Sequence, residues 1–197
     1  MHPEKQPANR RSASKHRIIL AAAAACVQRN GYAATTIEAI AAEAGVGKQT
    51  IYRWWPSKAT LFVEVYTDIA SRKALTAPQS GTTESRLAEI LKALFALYRE
   101  TSAGAILAGL IGDSVADGTT RTALAEGLIV GRADIVSGIV RSGVAREELS
   151  CLPEVVNEVV VALVWKRLVM NPEGLDDAFA EDLAAQAIAA GRIEGRS

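Results

Sequence analysis

The chain has 197 residues, enough for one sizeable core or two small ones, and 49% of them are apolar, the ordinary share for a soluble globular protein. Lys+Arg and Asp+Glu balance at 22 each, yet residues 1–60 hold nine cations against three acids and the remainder thirteen against nineteen, so the N-terminal third is suited to a polyanion. The longest apolar run, Ile18 to Val27, is half a bilayer span of roughly 20 residues, and Cys26 and Cys151 lack CxxC or metal-ligand spacing, which excludes a membrane helix and fits small core residues in a reducing cytoplasm.

Residues 1–13, MHPEKQPANRRSA, have no apolar period and contain two prolines, so they read as a disordered basic tail without a signal-peptide core. Arg10 and Arg11 stand where an arm can lay arginines in a minor groove; a solvated tail is the plainer alternative. Ser14 can cap a first helix running to about Asn30, ended by Gly31, with Ile19, Ala23, Cys26 and Val27 on its core face. Next, Ile37, Ile40, Ala41 and Ala44 recur at helical spacing, Gly45-Val46-Gly47 forms a tight turn, and Lys48 to Trp54 makes a second short helix. Ile51 can face the core while Lys48, Gln49, Thr50, Tyr52 and Arg53 point outward; Pro56 stops the helix and Ser57 can cap the next. Two short helices about a Gly-containing turn, the second polar and cationic outside, describe a helix-turn-helix over about 36–55 whose second helix enters a major groove. Side-chain chemistry then suggests Lys48 and Arg53 for guanine, Gln49 for adenine, and the Thr50 methyl for thymine.

Over Ile19 to Leu61 the sequence resembles the N-terminal domain of the TetR family of bacterial transcriptional regulators. The resemblance rests on Ile19-Leu20, Ala23, Gly31-Tyr32, Thr35-Thr36, Ile40-Ala41, Ala44-Gly45-Val46, Thr50-Ile51-Tyr52, Ser57-Lys58 and Leu61. It implies an all-α fold of about nine helices: a three-helix DNA-binding domain over 14–60 and a helical effector-binding and dimerisation domain over 61–190. It also implies that Tyr32 packs beneath the unit, that Thr35 or Thr36 caps the second helix toward a phosphate, and that Thr50, Tyr52 and, more surely, Lys58 reach phosphates. Trp55 stands where the family usually has Phe, and adjacent Trp54 leaves open which indole packs inside and which approaches DNA.

From Leu61 the fourth helix continues through Val65 and Ile69 to about Lys73, which makes it the lever between domains. A loop over 77–83 precedes a periodic helix, about 84–101, carrying Leu87, Leu91, Phe95 and Tyr98. Two more helices are expected over 105–115 and 121–141, weakened by internal glycines. Residues 153–170 are β-branched but too long for an ordinary strand, and a last helix spans 175–190. The resemblance and the apolar character of this final pair both imply a homodimer. An apolar effector is expected among these helices, with Phe95, Tyr98 and Trp165 as candidate lining and core packing as the competing role for each. No catalytic set converges: His2 and His16 stand alone, and Asp113 and Asp117 read as a solvated helix end, so neither an enzyme nor a cofactor is expected. Residues 191–197 form a tail in which IEGR matches a protease-cleavage tag, with a native origin left open. A repressor of a palindromic operator, released by a small apolar molecule, follows from the resemblance.

Overall fold

The computed structural model describes residues 7–73, 75–76, 78–126 and 130–192, with side chains from residue 12 onward except those of 130–134. Within them ten α-helices follow one another, and no single helix is both long and apolar enough to cross a membrane. The segment IEGRS at the C-terminus lies outside the described residues.

Helix α1 spans Pro7–Ala34 and therefore begins ahead of Ser14, taking in much of the stretch read as a disordered tail. Proline in a first turn forfeits only an N–H that has no helical partner there, and nothing from Ala8 to Lys15 interrupts the helix. Gly31 breaks α1 with φ 77° and ψ 164°, a conformation open in practice to glycine alone. Helices α2 (Ile37–Glu43), α3 (Lys48–Trp54) and α4 (Lys58–Arg72) follow. Ser57 caps α4 through a reciprocal box with Thr60, which fixes where the lever helix leaves the DNA-binding head.

In the larger domain α5 is Thr83–Glu100, α6 Ala103–Ala116, α7 Gly118–Leu124, α8 Val130–Ala145, α9 Pro153–Met170 and α10 Asp177–Gly191. The single helix expected over 121–141 is thus two, which raises the count from about nine to ten. Asp117 starts α7 early by accepting the N–H groups of Thr119 and Thr120. The β-branched stretch forms α9, burying Val156, Val160, Val164 and Leu168 at a spacing of four. Helix α10 packs on α5 and α9, while α6 packs against α4 and α1. Consequently α10 buries Leu183, Ala184, Ala187 and Ile188 inside its own chain. Helix α9 keeps Val169 and Met170 exposed at its C-terminal end. Cys26 and Cys151 are buried free thiols, both raised in pKa mainly by desolvation.

Candidate nucleic-acid interface and ligand cavity

The turn between α2 and α3 is closed by its own backbone. Gly45, at φ 63°, lets its N–H reach Ala42 O at 3.2 Å and the Val46 N–H reach Ala41 O at 2.9 Å, the paired bonds of a Schellman end. Val46 then packs on the core, and Ile51 is fully buried, so α3 is held by its inner side. Lys48, Gln49, Tyr52 and Arg53 are exposed and Thr50 half-buried, which makes one polar, cationic face on the outer side of α3. Lys48 Nζ lies 3.0 Å from Glu38 Oε1 of α2, a contact that raises the lysine pKa and lowers that of the carboxyl. The choice of cap falls on Thr36, whose hydroxyl accepts the Ala39 N–H at 3.1 Å. Thr35 corrects the other alternative: it is 1% exposed and donates to Gly31 O at 2.7 Å, so its side chain faces inward. Arg10 and Arg11 lie in the first turns of α1, and their side chains are outside the described residues.

The question of the two indoles is answered by packing. Trp55 is the inner one, buried and donating through Nε1 to Glu64 Oε2 at 2.6 Å. Trp54 is half-buried, crossed edge-on with Trp55, and carries the Arg53 guanidinium 5.6 Å from its ring centre. His16 of α1 closes the cluster 4.7 Å from the Trp55 ring and 3.0 Å from Glu64.

Beneath this head lies a junction that sequence reading only half anticipated. Tyr32 is buried and donates its hydroxyl to Asp113 of α6 at 2.9 Å; its ring rests on Gly109, where an added Cβ would meet Cδ1 at 2.0 Å. Burial, and then the bond to Asp113, drives the phenol pKa far above its ordinary value. Asp113 is therefore no mere solvated helix end. Lys58 donates to Tyr32 O at 3.0 Å and sits 4.2 Å over its ring, half-buried, with its pKa lowered by desolvation against the opposing pull of Asp113.

A cavity opens among α4, α5, α6, α8 and α9, with about 100 Å³ in which the centres of water-sized groups can move. That is well beyond the roughly 10–15 Å³ that one water requires. Tyr98 and Trp165 line it as expected. Phe95 does not: it is fully buried and stacks on Phe179 at 5.8 Å, with the Arg167 guanidinium 3.8 Å over the far ring. Sequence reading missed Tyr66, because α4 was assigned to the lever alone, and Leu75, which follows that helix; Asn157 lies on the α9 face expected to contribute lining but was not singled out.

With this geometry in place, two family models match the chain. Residues 19–65 match "Bacterial regulatory proteins, tetR family", and residues 77–187 match "Tetracyclin repressor-like, C-terminal domain". The HTH-type transcriptional regulator YdeS of Bacillus subtilis, itself uncharacterised, is 25% identical over 90% of this chain and 89% of its own length. The crystal structure of the TetR family transcription regulator SCO0332 superposes with a TM-score of 0.73 and 26% identity, covering 90% of this chain and 98% of that one. The transcriptional regulator FadR from Bacillus subtilis, in complex with stearoyl-CoA, shares the fold with a TM-score of 0.68, 19% identity and coverage of 89% and 98%. Two matched family models spanning both the helix-turn-helix head and the helical body, together with relatives that are transcriptional regulators, establish that the chain belongs to the TetR family as a helix-turn-helix transcriptional regulator.

Proposed function

We propose that this protein is a cytoplasmic repressor that binds a palindromic operator as a homodimer and leaves it when a small, mostly apolar effector fills the cavity. The observation that carries this reading is the outer face of α3, where Lys48, Gln49, Tyr52 and Arg53 face solvent while Ile51 anchors the helix from behind. Lys48, Arg53 and Gln49 read base edges; Thr50 and Tyr52 meet phosphates, with the capped end of α2 at Thr36, and Lys58 joins them by exchanging Tyr32 O for a phosphate oxygen. Trp54 supports Arg53 from beside, and Arg10 and Arg11 extend the contact along the minor groove. The half-buried Val159 and Leu163 with exposed Ala162, Val169 and Met170 give α9 an apolar outer edge suited to a two-fold bundle. The stearoyl-CoA seen in the similar Bacillus subtilis structure supports a small-molecule occupant in the helical body.

Selection of bound duplexes from a random-sequence library tests the proposal. It should return an inverted repeat with half-sites about one helical turn, roughly 34 Å, apart. Recovery of unrelated sequences, or of single half-sites by a monomer, overturns it. Placing the recovered site on the regulated promoter then reads the sign, since overlap with the polymerase site means repression.

A further inference from the structure

The last turn of α3 is tied down by side chains from two other helices. Trp55, which ends α3, donates its backbone N–H to Ile51 O at 2.9 Å and is 3% exposed. Burial alone would hold the indole in place and leave its Nε1–H unmet, which is unfavourable for a buried donor. Glu64 of α4 accepts that N–H at 2.6 Å through Oε2, and its Oε1 lies 3.0 Å from His16 Nε2 of α1. The imidazole lies against both indoles, 4.7 Å from the Trp55 ring and 5.4 Å from that of Trp54. A directional, charge-assisted bond to an indole N–H sets the plane of the ring as well as its place.

The outer ring of this cluster borders the exposed face of α3. Trp54 crosses Trp55 at 83° with ring centres 5.6 Å apart, and it carries the Arg53 guanidinium 5.6 Å from its own centre. A long arginine otherwise samples many rotamers, whereas a bidentate contact to guanine needs one direction. We propose that Glu64, acting through the crossed rings of Trp55 and Trp54, is a positioning residue that sets the aim of Arg53 and hence the preference for one base pair of the operator. The assignment rests on the reading above, in which the outer face of α3 meets base edges, and adds to it a residue of α4 whose part in recognition needs no contact with DNA. Lys48, at the opposite end of α3 and paired with Glu38 of α2, stands apart from this cluster, so the effect is confined to one end of the half-site.

The test titrates full-chain variants, by fluorescence anisotropy at fixed salt, against the duplex selected above, its single-base-pair variants and an unrelated duplex of the same length. Circular dichroism melts show that each variant is folded at the assay temperature. Arg53→Ala identifies the base pair, as the position where preference collapses. Glu64→Leu and Trp55→Phe should each lower the preference at that pair about five- to tenfold, the size of one interaction. Preference at the pair marked by Gln49→Ala and affinity for the unrelated duplex should stay within about twofold. Glu64→Gln keeps an acceptor for the indole and should stay within about twofold of the parent throughout. Because both substitutions act on one bond, combining Glu64→Leu with Trp55→Phe should lower the preference no further than the more damaging of the two does alone. Should Glu64→Leu melt below the assay temperature, Trp55→Phe and Glu64→Gln carry the comparison. Equal loss at every base pair, additive losses in the double variant, a Glu64→Gln as damaging as Trp55→Phe, or no change at the marked pair would overturn the positioning role and leave operator binding standing. An Arg53→Ala that marks no base pair, or a parent that prefers no duplex, would overturn it together with the base-reading assignment.

Discussion

Two side chains from distant parts of the sequence share one seat. Tyr32 reaches Asp113 across the boundary between the DNA-binding head and α6, and Gly109 is the floor on which its ring rests. Gly109→Ala should destabilise the fold by about 1–3 kcal/mol, because the ring has to move for the methyl to enter, and chemical denaturation measures it. Tyr32→Phe should cost about 0.5–1.5 kcal/mol, the net worth of one hydrogen bond, because the exposed Asp113 carboxylate can turn to water instead. The bond spans 81 positions, and periodicity reports only near neighbours, so Tyr32 was legible as a packing residue and its partner was not. Lys58 was likewise legible as a cation at the start of α4, but its resting place over Tyr32 was not. Lys58→Ala should weaken binding to all duplexes alike and reduce the salt slope by about 1, whereas Gln49→Ala should blur preference at one base position. Affinity measured against salt for the selected operator and its point variants distinguishes them. Equal effects on specificity would refute the division of labour.

At the scale of elements, what could be read locally was read. Ser57, the Gly45 turn, and the buried and exposed sides of α3 follow from residue types and spacing, because caps, left-handed turns and amphipathic faces are settled within a few residues. The division into α7 and α8 was hidden: Asp117 competes for the start of a helix whose apolar pattern alone runs on through Ala125. Phe95 shows the same limit, since an apolar face does not say whether it meets a cavity or, as here, another ring. The start of α5 depends on a distant group too. Glu148 accepts the Thr83 N–H at 2.6 Å and its hydroxyl at 2.9 Å, with Arg146 Nη2 2.6 Å away. The Thr83 backbone N–H, ahead of Arg146, holds this carboxyl below its ordinary pKa of 4.5. A depressed carboxyl contributes stability that is present above the ordinary value and is lost as pH falls through the folded one. Glu148→Gln should therefore flatten the fall of Tm between roughly pH 5 and pH 3, and melts across that range check it.

The whole molecule divides its charge as it divides its work. Residues 1–60, which include α3, carry the cationic surplus and the remainder the acidic one, a division suited to a polyanion at the head. Both halves of this arrangement were visible in composition, whereas the side of the last helix pair left for a partner emerged only from packing. The sequence suggested that α9 and α10 are jointly in need of cover, but α10 spends its apolar face on α5 and α9 of its own chain. For the homodimer proposed above, the outer edge of α9, where Val169 and Met170 are exposed, is a contact face. Val169→Asp should give a monomer at micromolar concentration with unchanged helix content, as read by light scattering on a sizing column and by circular dichroism; a dimer that persists would place the contact elsewhere.

The bare floor at position 109 also constrains how relatives of this chain can diverge. A side chain gained there leaves no room for the tyrosine ring at position 32. The two sites should therefore drift as a pair, a bulkier residue on α6 being accompanied by a smaller one after the first helix. Position 113 should keep its carboxylate only in lineages that retain the phenol.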